Sequence, residues 1–211
     1  MKISVSYLNV KYNDIPHVVN ELDATSADYI HVDVMDGKYV KGKANLYNDI
    51  SGIGYYTRKR LDVHFMVSHP LKYIDDYASL NVFCMSFHLD IKDNIEKVIE
   101  RCHMYGIKVG IALNPSDSVE LIYPYLDKID MILIMSVVPG LPGQKFMEEV
   151  IPKIDVLRKV LAKENRNILI SVDGGINLEN KDLLKNADIL VSGSYVTNSS
   201  DYEKCIQELK K

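Results

Sequence analysis

The chain has 211 residues, of which 47% are hydrophobic and 26% charged, with a formal net charge of −4. This length supports one substantial core, the composition is that of a globular protein, the scattered Lys and Arg form no nucleic-acid stripe, and no apolar run approaches the roughly 20 residues that cross a bilayer. Cys84, Cys102 and Cys205 are odd in number with no CxxC, and Met1-Lys2-Ile3-Ser4-Val5 lacks a signal-peptide layout, so a reducing, cytoplasmic setting is expected.

Apolar, β-branched runs alternate with amphipathic stretches along the whole chain. The first strand is expected near 2–8, followed by a helical pattern near 14–23. A strand near 28–34 precedes a helical pattern near 48–59. The next pairs are 61–67 with 71–79, 82–88 with 92–105, and 107–113 with 118–125. The last are 130–137 with 146–163, 168–173 with 177–186, and 188–192 with 201–210. Asp93 or Asn94, Asp117-Ser118, and Asn177 with Asn180 are expected to cap helix starts. Pro70 and Pro152 fall in or near first turns, where a missing N–H matters little, and Gly106 marks a helix C-terminus.

Eight strand–helix units imply a parallel sheet with right-handed crossovers. Eight such units can close into an α/β fold of the (β/α)8 TIM barrel type, as a single domain over residues 1–211. An open doubly wound sheet is the rival, though it more often has five or six strands. The second strand favours closure: Ile30, Val32 and Val34 would face helices, while Tyr29, His31, Asp33 and Met35 would line the interior.

Ionisable residues stand at strand ends in three runs: His31-Val32-Asp33-Val34-Met35-Asp36-Gly37, Asp62-Val63-His64-Phe65-Met66 and Val172-Asp173-Gly174-Gly175. Period-two alternation points His31 and Asp33 the same way. A carboxylate ending an apolar strand, such as Asp173, is costly at a partly dry rim unless it has a partner. Convergence of His31, Asp33, His64 and Asp173 predicts one divalent metal, Zn²⁺, Fe²⁺, Mn²⁺ or Co²⁺, rather than Ca²⁺. Two of these ligands are also carboxylates able to move protons. His88 ends the fourth run as either a contact to this group or a solvated strand end. Met35, Met66 and Met135 fall on the interior face near strand ends, as core or as an apolar wall over the site.

Glycines follow three successive strands: Pro139-Gly140-Leu141-Pro142-Gly143-Gln144, then Gly174-Gly175, then Gly193-Ser194. Such loops let backbone N–H groups approach an anion, and loops after the last two barrel strands often hold a phosphate. They contain no Lys or Arg, so backbone groups, with a short helix beginning near Ser194, are expected to hold the anion.

The three strand-end motifs, together with Met135-Ser136-Val137-Val138-Pro139-Gly140 and Gly143-Gln144-Lys145-Phe146, resemble the ribulose-phosphate 3-epimerase family from Ile3 to about Ser194. The resemblance implies a metal-dependent barrel isomerase of the pentose phosphate pathway. It would invert C3 of D-ribulose 5-phosphate to give D-xylulose 5-phosphate through a metal-stabilised enediolate. By the same resemblance the metal ligands are His31, Asp33, His64 and Asp173, and the two acid–base residues are Asp33 and Asp173, acting from opposite sides of the barrel. Substrate contacts are expected from Ser6, His64, Met35, Met66, Met135, Gly140, Gly143, Gly174, Gly175, Gly193 and Ser194. The partner would be a small sugar phosphate, and a homo-oligomer is expected.

The chain departs from the family pattern at Lys38–Lys43, at Pro142, at Tyr195 and at Val5. These departures leave a hexulose 6-phosphate such as allulose 6-phosphate open as substrate. A decarboxylase or aldolase-like synthase on a similar barrel would use an Asp–Lys pairing where this chain has His31 and His64. A degenerate sugar-phosphate-binding paralogue would be expected to have lost a ligand, and all four are present.

Overall fold

A computed structural model describes residues 1–211. Its strands are β1 (Lys2–Ser6), β2 (Tyr29–Asp36), β3 (Lys43–Ala44), β4 (Arg60–Met66), β5 (Val82–His88), β6 (Lys108–Leu113), β7 (Met131–Met135), β8 (Leu169–Asp173) and β9 (Ile189–Ser192). All but β3 pair in parallel, in the ring order β1-β2-β4-β5-β6-β7-β8-β9. Pairing of β9 with β1 and of β1 with β2 closes the ring. The eight-unit count therefore corresponds to a closed (β/α)8 barrel, and the open sheet is excluded.

Alternation along the strands decides what goes where. On β2, Ile30, Val32 and Val34 belong to the buried apolar layer that also takes in helix residues such as Leu22, Ile99, Leu157 and Ile206. Each such buried aliphatic side chain contributes about 1.5–3 kcal/mol. The inward residues near the strand N-termini, Tyr29, Phe83, Cys84, Met131 and Ile189, fill the lower barrel. Tyr29 and Phe83 stack with ring centroids 4.1 Å apart, and Lys2 Nζ donates to the Tyr29 hydroxyl at 2.9 Å. This end is plugged, so an opening to solvent is left to the strand C-termini, as in barrel enzymes generally.

The helices are α1 (Ile15–Asp23), α2 (Tyr47–Ile50), α3 (Ile74–Ala78), α4 (Ile95–Met104), α5 (Ile151–Lys163), α6 (Ser194–Thr197) and α7 (Tyr202–Lys210). Asn94 caps α4 by accepting from the Lys97 N–H at 3.0 Å, while Asp93 instead accepts from the Leu71 N–H. Gly106 takes φ +66° just past α4, where only glycine is unstrained.

Four expected helices are reduced, among them 71–79, which is a 3₁₀ turn at Pro70–Lys72 followed by the short α3. The 48–59 stretch is only α2 and a 3₁₀ turn at Ile53–Tyr55, with Gly52 and Gly54 interrupting it. Val119–Tyr125 is 3₁₀ with Pro124 inside, since proline supplies no N–H for an α-helical bond. Of 177–186 only Lys181–Leu184 is helical, because Asn177 and Asn180 engage each other and the backbone in a turn. Strand β7 ends at Met135 rather than 137. Strand β3 was not foreseen: it pairs antiparallel with Met35 and Asp36, folding the 38–43 loop back over the end of β2.

Candidate active site

The strand order of His and Asp reverses between β2 and β4. One reads His31-Val32-Asp33, the other Asp62-Val63-His64, and the parallel register sets His31 beside Asp62 and Asp33 beside His64. Every histidine on these two strands therefore faces a carboxylate. His31 Nδ1 lies 2.8 Å from Asp62 Oδ2, and His64 Nδ1 lies 3.2 Å from Asp33 Oδ1.

The remaining atoms converge. His31 Nε2 lies 3.4 Å from Asp33 Oδ1 and 3.6 Å from Asp173 Oδ2, and His64 Nδ1 lies 3.8 Å from Asp173 Oδ2. One ligand atom from each of His31, Asp33, His64 and Asp173 falls within 4.8 Å of all the others. His31 Nε2 is buried with no hydrogen-bond partner, aimed into this group. Two imidazole nitrogens and two carboxylate oxygens around one point fit a divalent transition cation.

The carboxylates sit in unequal environments. Asp33 Oδ2 accepts from the Ser6 hydroxyl at 2.8 Å, and only 5% of its side chain is exposed. Burial pushes Asp33 up, but His31 and His64 together hold it well below the usual carboxylate range. Asp173 has no such hydroxyl among its contacts; burial, reinforced by the Asp33 and Asp62 charges and opposed by the two histidines, pushes it up to about 6. Burial alone would lower His31, yet the Asp33 and Asp62 charges and hydrogen bonds hold it well above the ordinary value. Burial thus raises one carboxylate while the histidines lower the other, an inequality of the kind acid–base chemistry uses.

Asp33 and Asp173 stand three strands apart around the ring (β2 to β1, β9 and β8). In a ring of eight strands that is one strand short of diametrically opposite, so the two carboxylates approach the centre from widely separated directions. His88 is no solvated strand end either. It is fully buried, and its Nε2 lies 2.9 Å from His64 Nε2. Burial, with His64 adding to it, lowers its affinity for a proton well below the ordinary value.

A cavity of about 330 Å³ opens beside this group, lined among others by Ser6, Asp33, Met66, Met135 and Asp173. The same wall includes Gly140, Gly143, Gly174, Gly175, Gly193 and Ser194. Two expected contacts are not brought to it. Met35 is buried beside Met66 in register, and His64 lies behind Asp33, fully buried. Sequence reasoning missed the polar wall residues Asn9, Gln144, Asn177 and Tyr195. Asn9 lies in a loop with no periodicity to mark it; its Oδ1 accepts from Thr197 Oγ at 2.9 Å and its Nδ2 donates to Asn198 Oδ1 at 3.1 Å. Asn45 was missed too: at φ +49° its amide donates to the Asp33 carbonyl at 2.9 Å.

Glycine is required at two of these loop positions by packing alone. A Cβ on Gly174 would fall 2.6 Å from Val137 Cγ2, and one on Gly175 would fall 2.6 Å from the Phe146 nitrogen. Both also have positive φ. Gly193 differs: its nearest neighbours to an added Cβ are Ser6 and Asn9 atoms at 3.4–3.9 Å, on the cavity side. The two loops that depart from the family pattern touch each other, since a Cβ on Gly140 would fall 2.8 Å from Val40 Cβ.

Residues 2–197 match the family model described as the ribulose-phosphate 3 epimerase family. A ribulose-phosphate 3-epimerase of Buchnera aphidicola subsp. Baizongia pistaciae (strain Bp) is 37% identical over 213 aligned residues, covering 99% of this chain and 93% of that one. The Bacillus subtilis (strain 168) ribulose-phosphate 3-epimerase is 34% identical, covering 100% of this chain and 98% of that one. Among solved structures, 3-hexulose-6-phosphate synthase from Salmonella typhimurium superposes with TM-score 0.70 at 17% identity, over 99% of this chain and 96% of that one. That last likeness shows the shared barrel.

Proposed function

The chain belongs to the ribulose-phosphate 3-epimerase family, and on that premise we propose that it inverts C3 of D-ribulose 5-phosphate to give D-xylulose 5-phosphate. The observation that carries this reading is the convergence of His31, Asp33, His64 and Asp173, with one ligand atom of each within 4.8 Å of the others and both carboxylates lining one cavity. A proton α to a ketone is too weakly acidic to leave unaided at neutral pH. Asp33 takes it from one face of the carbon, and Asp173 returns a proton to the other face, which inverts the centre. In the reverse reaction the roles exchange.

His31, Asp33, His64 and Asp173 would hold one divalent cation, with zinc, iron, manganese and cobalt all compatible with the donor set. When bound, it supplies charge stabilisation at the oxygens next to the reacting carbon. Ser6 keeps Asp33 aligned through its 2.8 Å hydrogen bond. Met66 and Met135 present apolar surface that keeps water from the reacting carbon.

At the other end of the cavity, backbone N–H groups of Gly175, Gly193 and Ser194 bind the phosphate, since no Lys or Arg lines this wall. Anchoring there converts remote binding energy into orientation of C3 between the two carboxylates. Val40 packed on Gly140 ties the 38–43 loop to the loop that covers the sugar. Three buried, unpaired cysteines support a reducing compartment, and no helix is long and apolar enough to cross a membrane.

The test is epimerisation of ribulose 5-phosphate and of allulose 6-phosphate by chelator-stripped protein reloaded with each metal. A kcat/KM that is metal-dependent and higher for the pentulose is expected. Activity unaffected by thorough stripping, or a preference for the hexulose, overturns the corresponding part of the proposal.

A further inference from the structure

The antisymmetric His-x-Asp and Asp-x-His strands leave one carboxylate outside the ligand group. Asp62 is 1% exposed, deep in the barrel, below the point where the four ligand atoms meet. Its Oδ2 takes two contacts, His31 Nδ1 at 2.8 Å and the Ser4 hydroxyl at 2.9 Å. Its Oδ1 has no hydrogen-bond partner within the protein. The other nitrogen of the same imidazole, His31 Nε2, is the orphaned atom aimed at Asp33 and Asp173.

We infer that Asp62 is a positioning residue: it holds a proton on His31 Nδ1 and thereby commits Nε2 to the cation. The inference rests on the metal-dependent reading above. The chemistry is that of an imidazole with two inequivalent nitrogens. A hydrogen bond accepted at one nitrogen sets which nitrogen is left as the ligand, and it makes that ligand more basic and fixes its ring plane. The carboxylate can only accept from Nδ1, so Nδ1 must be the N–H side.

The second histidine has no such partner. His64 Nε2 meets another imidazole, His88 Nε2, at 2.9 Å, and its Nδ1 faces the ligand group. The two histidines thus enter through opposite ring nitrogens, Nε2 from His31 and Nδ1 from His64. The register explains this: His31 sits one layer deeper, level with Asp62, and must reach up with its far nitrogen, whereas His64 is level with Asp33 and uses its near one.

The experiment uses the full chain and zinc itself, with no sugar present, so a wrong substrate assignment cannot affect it. Zinc affinity is measured by competition with a calibrated chelator for wild type, Asp62→Asn, Asp62→Ala and Ser4→Ala. The unpartnered Oδ1 makes Asn the gentle change, since the amide keeps an acceptor for His31 at the same place. Zinc Kd is expected to rise about 10-fold for Asn and about 100-fold for Ala, the range found when an outer partner of a ligand histidine is lost. Ser4→Ala removes one hydrogen bond to Asp62 but leaves the Asp62–imidazole contact in place, so zinc Kd is expected to stay within about threefold. In zinc-loaded protein labelled with ¹⁵N-histidine, the wild type should show an exchange-protected His31 Nδ1–H that Asp62→Ala loses.

A zinc Kd unchanged in both Asp62 variants, or equally weakened by Ser4→Ala, overturns the inference and leaves Asp62 a structural acceptor. Should Asp62→Ala not fold, the Asn variant and the wild-type Nδ1–H signal still decide. A wild type that binds no zinc, or any of the other candidate cations substituted for it, overturns the metal reading and this one with it.

Discussion

Where β2 meets β4, Asp33 in the cavity wall is backed by side chains that hold one another: Ser6 on Asp33, Asp33 beside His64, Asp62 on His31. Where the loops after β7, β8 and β9 meet, it is built from backbone, with Gly174 and Gly175 pressed against Val137 and Phe146. The first region is a rigid, charged lattice of strand residues whose geometry follows from pairing register. The second is a set of turns whose shape follows from which residues can adopt positive φ. Chemistry requires atoms fixed to fractions of an ångström, and strands supply that; a phosphate, three or more bonds from the reacting carbon, tolerates a backbone cradle.

The contrast is sharpest in kinetics. Asp33→Asn and Asp173→Asn should each lower kcat by about 10²–10⁴-fold with little change in KM, the range for loss of a general acid or base. Metal content must be measured in each variant, because both residues are also proposed ligands. Solvent-deuterium exchange at C3 then separates loss of proton removal from loss of proton return. Substantial activity in either variant with metal retained would point to a single-base mechanism.

At the backbone end, Gly193→Val should do the reverse. Its side chain would enter the cavity beside Ser6 and Asn9, raising KM about tenfold or more, ~1.4 kcal/mol per tenfold, while the protein still binds one equivalent of zinc. A normal KM in this variant places the phosphate elsewhere on the barrel face.

Stability against pH should separate the two regions again. Asp173 is raised from 3.8 to about 6, so the folded state binds the extra proton between those values and stability falls as pH rises through that window. His31, raised above 6.5, contributes stability that is complete below 6.5 and is lost as pH climbs through its folded value. Asp33, lowered from 3.8, contributes above that value and loses its contribution as pH falls below it. Chelator-treated protein should therefore melt higher near pH 5 than near pH 8, by about 2–4 °C for each kcal/mol lost. Zinc should raise the melting temperature more at pH 8, and Asp173→Asn should flatten the decline between pH 4 and 6. Gly193→Val should leave the whole profile in place.

The smallest effect is expected at Asn9→Ala, which removes two neutral hydrogen bonds to Thr197 and Asn198 beside Gly193. Only part of the about 0.5–1.5 kcal/mol of each bond reaches the bound phosphate, so KM should rise roughly threefold with kcat held. A fall in kcat instead would tie this loop to the carboxylates rather than to the phosphate.

Much of this was legible in the residues because strand side chains alternate with period two. His31 and Asp33 share a face whatever surrounds them, and eight apolar runs separated by helical patterns admit few architectures. Helix detail was less legible: 48–59, 118–125 and 177–186 have amphipathic patterns, but Gly52, Gly54, Pro124 and the Asn177–Asn180 turn shorten them into 3₁₀ pieces, and a close-packed barrel needs no more than that to cover its strands. Strand β3 escaped notice because two residues carry no period.

By itself the sequence determined the eight barrel strands, the shared inward face of His31 and Asp33, the His and Asp residues at strand ends and the glycines after three successive strands, since all of these follow from local periodicity and turn chemistry. Only the tertiary structure decided the register between strands. That register placed Asp62 against His31 rather than in the ligand group, put His64 and Met35 behind the cavity wall, and set Asp33 and Asp173 three strands apart. It also brought Asn9 and Asn45 in from loops, through hydrogen bonds spanning 188 and 12 residues of chain. The physical reason is that register is set by hydrogen bonding and packing between segments distant along the chain, which no single strand's pattern contains.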